Sequence, residues 1–118
     1  MKKFYHLSTC DTCKRIISEL NLPTDVVLQD VKTETITIAQ LEEMHTLSGS
    51  YEALFSKRAK LYKEKGLKNK LLTEADYKAY ILEHYTFLKR PVLILEDRIF
   101  IGNSKKTIES AKEHLHVK

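Results

Sequence analysis

No aliphatic run in this sequence is longer than the four residues Val92, Leu93, Ile94 and Leu95. A membrane span takes about 20, so none is expected. Lys2 and Lys3 resemble the basic start of an export signal, but no apolar stretch follows them, and a cytoplasmic home is the expectation. Cysteine is scarce, with Cys10 and Cys13 alone. A structural zinc site wants four ligands, and there is no second cysteine pair to complete one. The five histidines, His6, His45, His84, His114 and His116, show no metal-site spacing, and the last two, two positions apart, cannot share a helix face. No metal and no tightly bound cofactor are therefore expected. There is no helix-turn-helix and no aromatic stripe suited to stacking bases, which argues against direct nucleic-acid binding. No internal repeat, low-complexity segment or assembly motif is present, so a monomer is the default.

What the chain does have is enough length for one core: 118 residues, 42% of them hydrophobic and 31% charged. The net charge of +4 is modest, but its distribution is uneven. Residues 57–70 hold seven basic side chains and one acid, Glu64. Such a run is ordinarily a solvated helix face, and an anion site is its sharper use.

The periodicity predicts a βαβ opening. Residues 2–7, with Phe4, Tyr5 and Leu7, read as a strand. Residues 12–20 read as a helix burying Ile16, Ile17 and Leu20, and Val26, Val27, Leu28 and Val31 suggest a second strand. The middle is helical in pattern. Thr37 with Gln40 resembles a capping box, and Gly49 and Ser50 end the helix it starts. A further helix is expected from Tyr51 through Leu54 and Phe55 toward Gly66. Thr73 with Asp76 opens another, with Tyr77, Tyr80 and Ile81 buried. After Arg90 and Pro91 the period changes: residues 92–95 and 98–101 form a hairpin about Glu96 and Asp97, and a last helix carries Ile108, Ala111 and Leu115. The order βαβ, helices, ββα matches an α/β thioredoxin-like fold. It is expected as a single domain over residues 1–118, with a helical insertion over about 33–88.

Cys10 and Cys13 fall where the first strand gives way to the first helix. The first-turn N–H groups of a helix have no intrahelical partners and stabilise an anion, so a thiolate at Cys10 is favoured there. Lys14 and Arg15 add positive charge, while Asp11 opposes a thiolate. Ser8, Thr9 and Thr12 offer hydroxyls that cap the helix. The spacing puts two thiols within disulfide reach, with Cys10 as nucleophile and Cys13 as resolving thiol. Redox chemistry, an unreactive pair and a metal site are the three readings of this motif, in that order of preference.

Five segments together resemble the ArsC/Spx family, which contains glutaredoxin-linked arsenate reductases and Spx redox-sensing transcription regulators. They are CDTCK from Cys10, LFSKR from Leu54, YKEKG from Tyr62, LKRPV from Leu88 and IGN from Ile101. The resemblance covers essentially the whole chain. It implies a thioredoxin-like fold and a cis bond before Pro91, close to the cysteine loop. It also implies attack of Cys10 on an oxyanion held by arginines, with Arg58 and Arg90 on two of three family positions. Ile101 stands at the third position, and Arg98 is displaced from it by three residues. Arginine suits a tetrahedral oxyanion because its planar fork gives paired charged hydrogen bonds. Reduction would come from glutathione or another thiol, with glutaredoxin or thioredoxin as the donor protein. The paired cysteines and the Gly102-Asn103 ending lean toward the Spx branch, whose partner is the RNA polymerase α subunit. A general dithiol reductase, using the two cysteines and the Pro91 loop, is the third possibility.

Overall fold

A computed structural model describes residues 2–116. Their contacts separate into two compact units: one runs up to Glu34 and resumes at Arg90, and the other is Thr35–Lys89. Among the described residues, no helix is long and apolar enough to cross a membrane.

The first unit is a four-stranded sheet with two helices. β1 (Lys2–His6) leads into α1 (Asp11–Leu20) and β2 (Val27–Asp30). β3 (Val92–Leu95), β4 (Arg98–Ile101) and the last helix, Lys105–Leu115, complete it. The strand order is β2-β1-β3-β4. β1 and β2 are parallel, as a helical crossover requires, and the other pairs are antiparallel. This is the thioredoxin-like arrangement that the element order predicts.

Register gives the sheet two distinct ends. Tyr5 faces Val92, Val92 faces Ile101, and His6 faces Asp30 at one end. Lys2 faces Leu95 and Leu95 faces Arg98 at the other. All four β3 residues are buried, as befits an interior strand covered on both faces. Phe4, Leu93 and Leu95 pack with Ile16 and Leu20 of α1 and with Ile108 and Ala111 of the last helix. The α1 positions Cys13, Ile16 and Leu20 lie three and four apart, which makes one buried stripe. Asn21 ends α1 in the left-handed region at φ 50°, a conformation asparagine tolerates better than most residues.

The second unit carries α2 (Ile38–Ser48), α3 (Lys60–Glu64) and α4 (Glu74–Glu83), so the helix of residues 105–115 is α5. Both expected capping boxes form. The Thr37 hydroxyl accepts the Gln40 N–H at 3.0 Å, and the Gln40 side chain accepts the Thr37 N–H at 3.0 Å. Thr73 and Asp76 do the same at 3.2 and 2.8 Å. Gly49 ends α2 at φ 79°, where a side chain would be strained.

The helix expected from Tyr51 to Gly66 does not form. A 3-10 turn at Glu52–Leu54 gives way to extended chain at Phe55, which bridges Leu88. The Ser56 N–H donates to Phe87 O at 2.7 Å, and the Lys89 N–H to Leu54 O at 2.8 Å. The Phe55 ring stacks on Phe87 with centroids 5.4 Å apart, and Tyr77 tilts against it at 4.8 Å. This distant pairing satisfies the backbone groups that a helix would have used, and it buries the ring as well. The Glu74 carboxylate accepts the N–H groups of Tyr51 and Glu52, fixing the turn. Helix resumes only at α3. Tyr80, expected in the core, is half-buried.

Candidate thiol active site

The site is built on the loop between β1 and α1. The Cys10 N–H donates to Leu7 O at 3.0 Å, which closes a tight turn over Ser8 and Thr9. Cys10 is then the N-cap of α1, at φ −94° and ψ 115°, and no hydroxyl caps the helix. The expected capping role of Ser8, Thr9 and Thr12 is therefore not realised: Thr12 lies inside the first turn, and Cys10 holds the capping position. The Cys10 carbonyl accepts the Lys14 N–H at 3.1 Å, so its sulfur stands where a capping oxygen ordinarily sits.

This position decides the electrostatics. Partial burial is the largest single influence on Cys10 and pushes its thiol up. Backbone and thiol hydrogen bonds from Cys13, a backbone hydrogen bond from Thr12 and the Arg90 charge together outweigh it, and Cys10 is held below the ordinary thiol value. Cys13 behaves oppositely. It is 1% exposed, and burial first, then the charge of Cys10, pushes it up to about 11, although a Leu7 backbone hydrogen bond and Arg90 act against the rise. Both thiols are free. The pair is thus asymmetric: one accessible thiol disposed to ionise, and one buried thiol disposed to keep its proton.

Arg90 and Pro91 approach from β3. The Arg90–Pro91 peptide is cis. Pro91 directly precedes Val92, the partner of Tyr5, so it lies at the cysteine end of the sheet. Its carbonyl accepts the Gly102 N–H at 2.9 Å. Arg90 is half-buried, and its charge acts on both thiols.

The other predicted residues are placed differently. Lys14 is exposed, and its backbone N–H donates to Cys10 O. Arg58 is exposed and belongs to the second unit, in the turn before α3. Ile101 is half-buried at the cysteine end of β4, facing Val92. Arg98 faces Leu95 at the opposite end. The two are three steps apart along the strand, roughly 10 Å, so Arg98 is no substitute for an arginine at Ile101. Among the described residues, no group of three His, Cys, Asp or Glu side chains could hold a metal.

Sequence reasoning missed Asp30. It ends β2 beside His6, and its carboxylate accepts from the Ser8 hydroxyl, from the Ser8 N–H at 3.3 Å and from the Lys32 N–H at 3.1 Å. An acid at the end of a strand is too common to single out; its meaning depends on the register of β1 against β2.

A thioredoxin-like unit with a cysteine pair at the start of its first helix is a thiol-redox framework. The ArsC family pattern matches residues 5–111, and the chain belongs to the ArsC family. Among solved structures, an ArsC family related protein from Bacteroides fragilis is 24% identical over 93% of this chain and 96% of its own, with a TM-score of 0.75. A protein from Staphylococcus aureus COL is 25% identical over 93% and 97%, with a TM-score of 0.72. An arsenate reductase from Vibrio cholerae is 18% identical over 95% of each chain, with a TM-score of 0.76. No curated protein matches the chain.

Proposed function

We propose that this protein is an arsenate reductase-like thiol oxidoreductase of the cytoplasm, acting as a monomer. The observation that carries the reading is the opposed character of the two thiols: Cys10 lowered at the start of α1, Cys13 buried and raised. Ionised Cys10 attacks arsenic, a sulfur–arsenic bond forms, and one arsenate oxygen leaves as water after protonation. A second thiol, from glutathione or Cys13, attacks the Cys10 sulfur. The sulfur–arsenic bond breaks, its electron pair stays on arsenic, and arsenate becomes arsenite as two thiols become a disulfide. Glutaredoxin or thioredoxin then restores the thiols. Arg90 supplies positive charge beside the thiol, and Arg58 is the second oxyanion ligand that the family resemblance suggests.

One observation favours a second reading. With Ile101 at the cysteine end of β4, the third oxyanion position is apolar. A reversible Cys10–Cys13 disulfide acting as a sensor, with the RNA polymerase α subunit as partner, needs no such arginine. A general dithiol reductase needs none either.

The test is anaerobic arsenate turnover with glutathione plus glutaredoxin, and separately with thioredoxin and its reductase. Saturable arsenite formation that is lost in Cys10→Ser and weakened in Arg58→Ala and Arg90→Ala is expected. Turnover no greater than the Cys10→Ser blank with either donor would overturn the enzyme reading and put the sensor first.

A further inference from the structure

We propose that Asp30 is a positioning residue for Cys10, holding the 7–10 turn through Ser8 so that the first-turn N–H groups of α1 stay aimed at the sulfur. The inference rests on the reading of Cys10 as nucleophile. Cys10 has no side-chain oxygen to fix its own capping geometry. The sulfur's place is set by the backbone on either side: the helix after it and the turn before it. The turn has one internal bond, from Cys10 N–H to Leu7 O. Its apex is exposed at Ser8 and Thr9, where such a turn would otherwise be free to move. Asp30 removes that freedom, because its two oxygens take both donors of Ser8.

Asp30 is itself held. It is the last residue of β2, in register with His6, which immediately precedes the turn. The Val31 N–H donates to His6 O at 2.9 Å, extending the pairing one residue further. The Lys32 N–H closes on the Asp30 carboxylate. The latch therefore runs from a sheet edge to the turn and on to the nucleophile. Ser8 is the leading cause holding the Asp30 carboxyl below its ordinary range, and the Lys32 and Ser8 N–H groups and His6 add to it against the effect of burial. His6 on β1 acts on Asp30, and Cys13 on α1 and Arg90 before β3 act on Cys10.

The charge of Asp30 by itself would disfavour a thiolate, so positioning and simple electrostatics predict opposite signs. The experiment measures iodoacetamide alkylation of Cys10 against pH, with mass spectrometry assigning the label, in the full chain and in Asp30→Ala, Asp30→Asn and Ser8→Ala. Asp30→Ala should slow labelling at neutral pH about fivefold, the size of one ordinary hydrogen bond, and move the midpoint upward. Asp30→Asn keeps an acceptor and should stay within about twofold of the parent. Ser8→Ala, which leaves β2 and the charge intact, should fall between and serves if Asp30→Ala does not fold. An unchanged profile in both alanine variants would overturn the proposal, even with a lower Tm. So would faster labelling in both Asp30 variants, since that assigns Asp30 a charge effect only. If the parent shows an ordinary thiol midpoint, the nucleophile reading itself fails, an outcome distinct from either of these.

Discussion

The two ends of the sheet are made from the same four strands and both carry charged side chains, yet they use them differently. At the Lys2 end, Lys2 pairs with Asp25 at 2.9 Å in the open. An open cleft of about 250 Å³ there is lined by both signs of charge, with Lys2 and Arg98 beside Glu96 and Asp97. Opposite charges in solvent largely neutralise one another, and little is left to act on a ligand. At the cysteine end, backbone donors, the half-buried Arg90 and the Asp30 latch all bear on one sulfur. Reactivity follows from convergence at a helix start, where the surroundings are partly dry, rather than from the amount of charge.

That contrast can be broken most sharply by removing the thiol. Cys10→Ser should abolish alkylation at that position and any arsenate turnover, while Arg98→Ala at the far end should leave both unchanged. An equal loss in the two variants would refute the separation of roles. The next largest effect belongs to Arg90→Ala, which should slow neutral-pH alkylation of Cys10 by roughly threefold to tenfold as a nearby cation is lost. The contrast is sharpened by adding a guanidinium. Ile101→Arg should lower the arsenate KM about fivefold if an oxyanion binds at the cysteine end, whereas Asp97→Arg at the exposed far end should not.

Stability gives a further distinction. Cys13 keeps its proton more strongly when folded, up to about 11 against 9.0 for the ordinary thiol. Its contribution to stability is complete below the ordinary value and is lost as pH rises through the folded one. The decline in Tm across that alkaline range should be smaller in Cys13→Ser than in the parent. Asp30 works in the other direction: its carboxyl is lowered, so its contribution is present above the ordinary carboxylate value and is lost as acid reaches the folded one. The smallest effect is expected at the exposed Lys2–Asp25 pair, where Lys2→Ala should leave the Tm unchanged within error.

Where the determinants are local, the sequence was readable. Thr37 with Gln40 and Thr73 with Asp76 place helix starts within one turn of chain, and both capping boxes form. The hairpin about Glu96 and Asp97 needs only two adjacent strands and a short turn, and it too is legible. The chain around Phe55 was misread because its partner, Leu88, is 33 residues away and no local pattern announces that bridge. The cysteine motif announced a helix start and hence the character of Cys10. The contrast with Cys13 depends on burial, and the latch at Asp30 depends on which residue of β2 lies beside His6. Arg98 illustrates the same limit: three positions along a sequence look close, but along a strand they are the length of the sheet.

The central claim, that the cysteine end of the sheet makes one thiol reactive and keeps its neighbour buried and protonated, is tested most directly by competitive alkylation. The reduced protein is treated briefly with limiting iodoacetamide from mildly acidic to mildly alkaline pH, and mass spectrometry assigns the label to Cys10 or Cys13. Labelling of Cys10 first at every pH, with its midpoint below that of an ordinary thiol and Cys13 silent until the protein unfolds, is the result predicted. Equal labelling of the two, or Cys13 ahead of Cys10, would contradict the account.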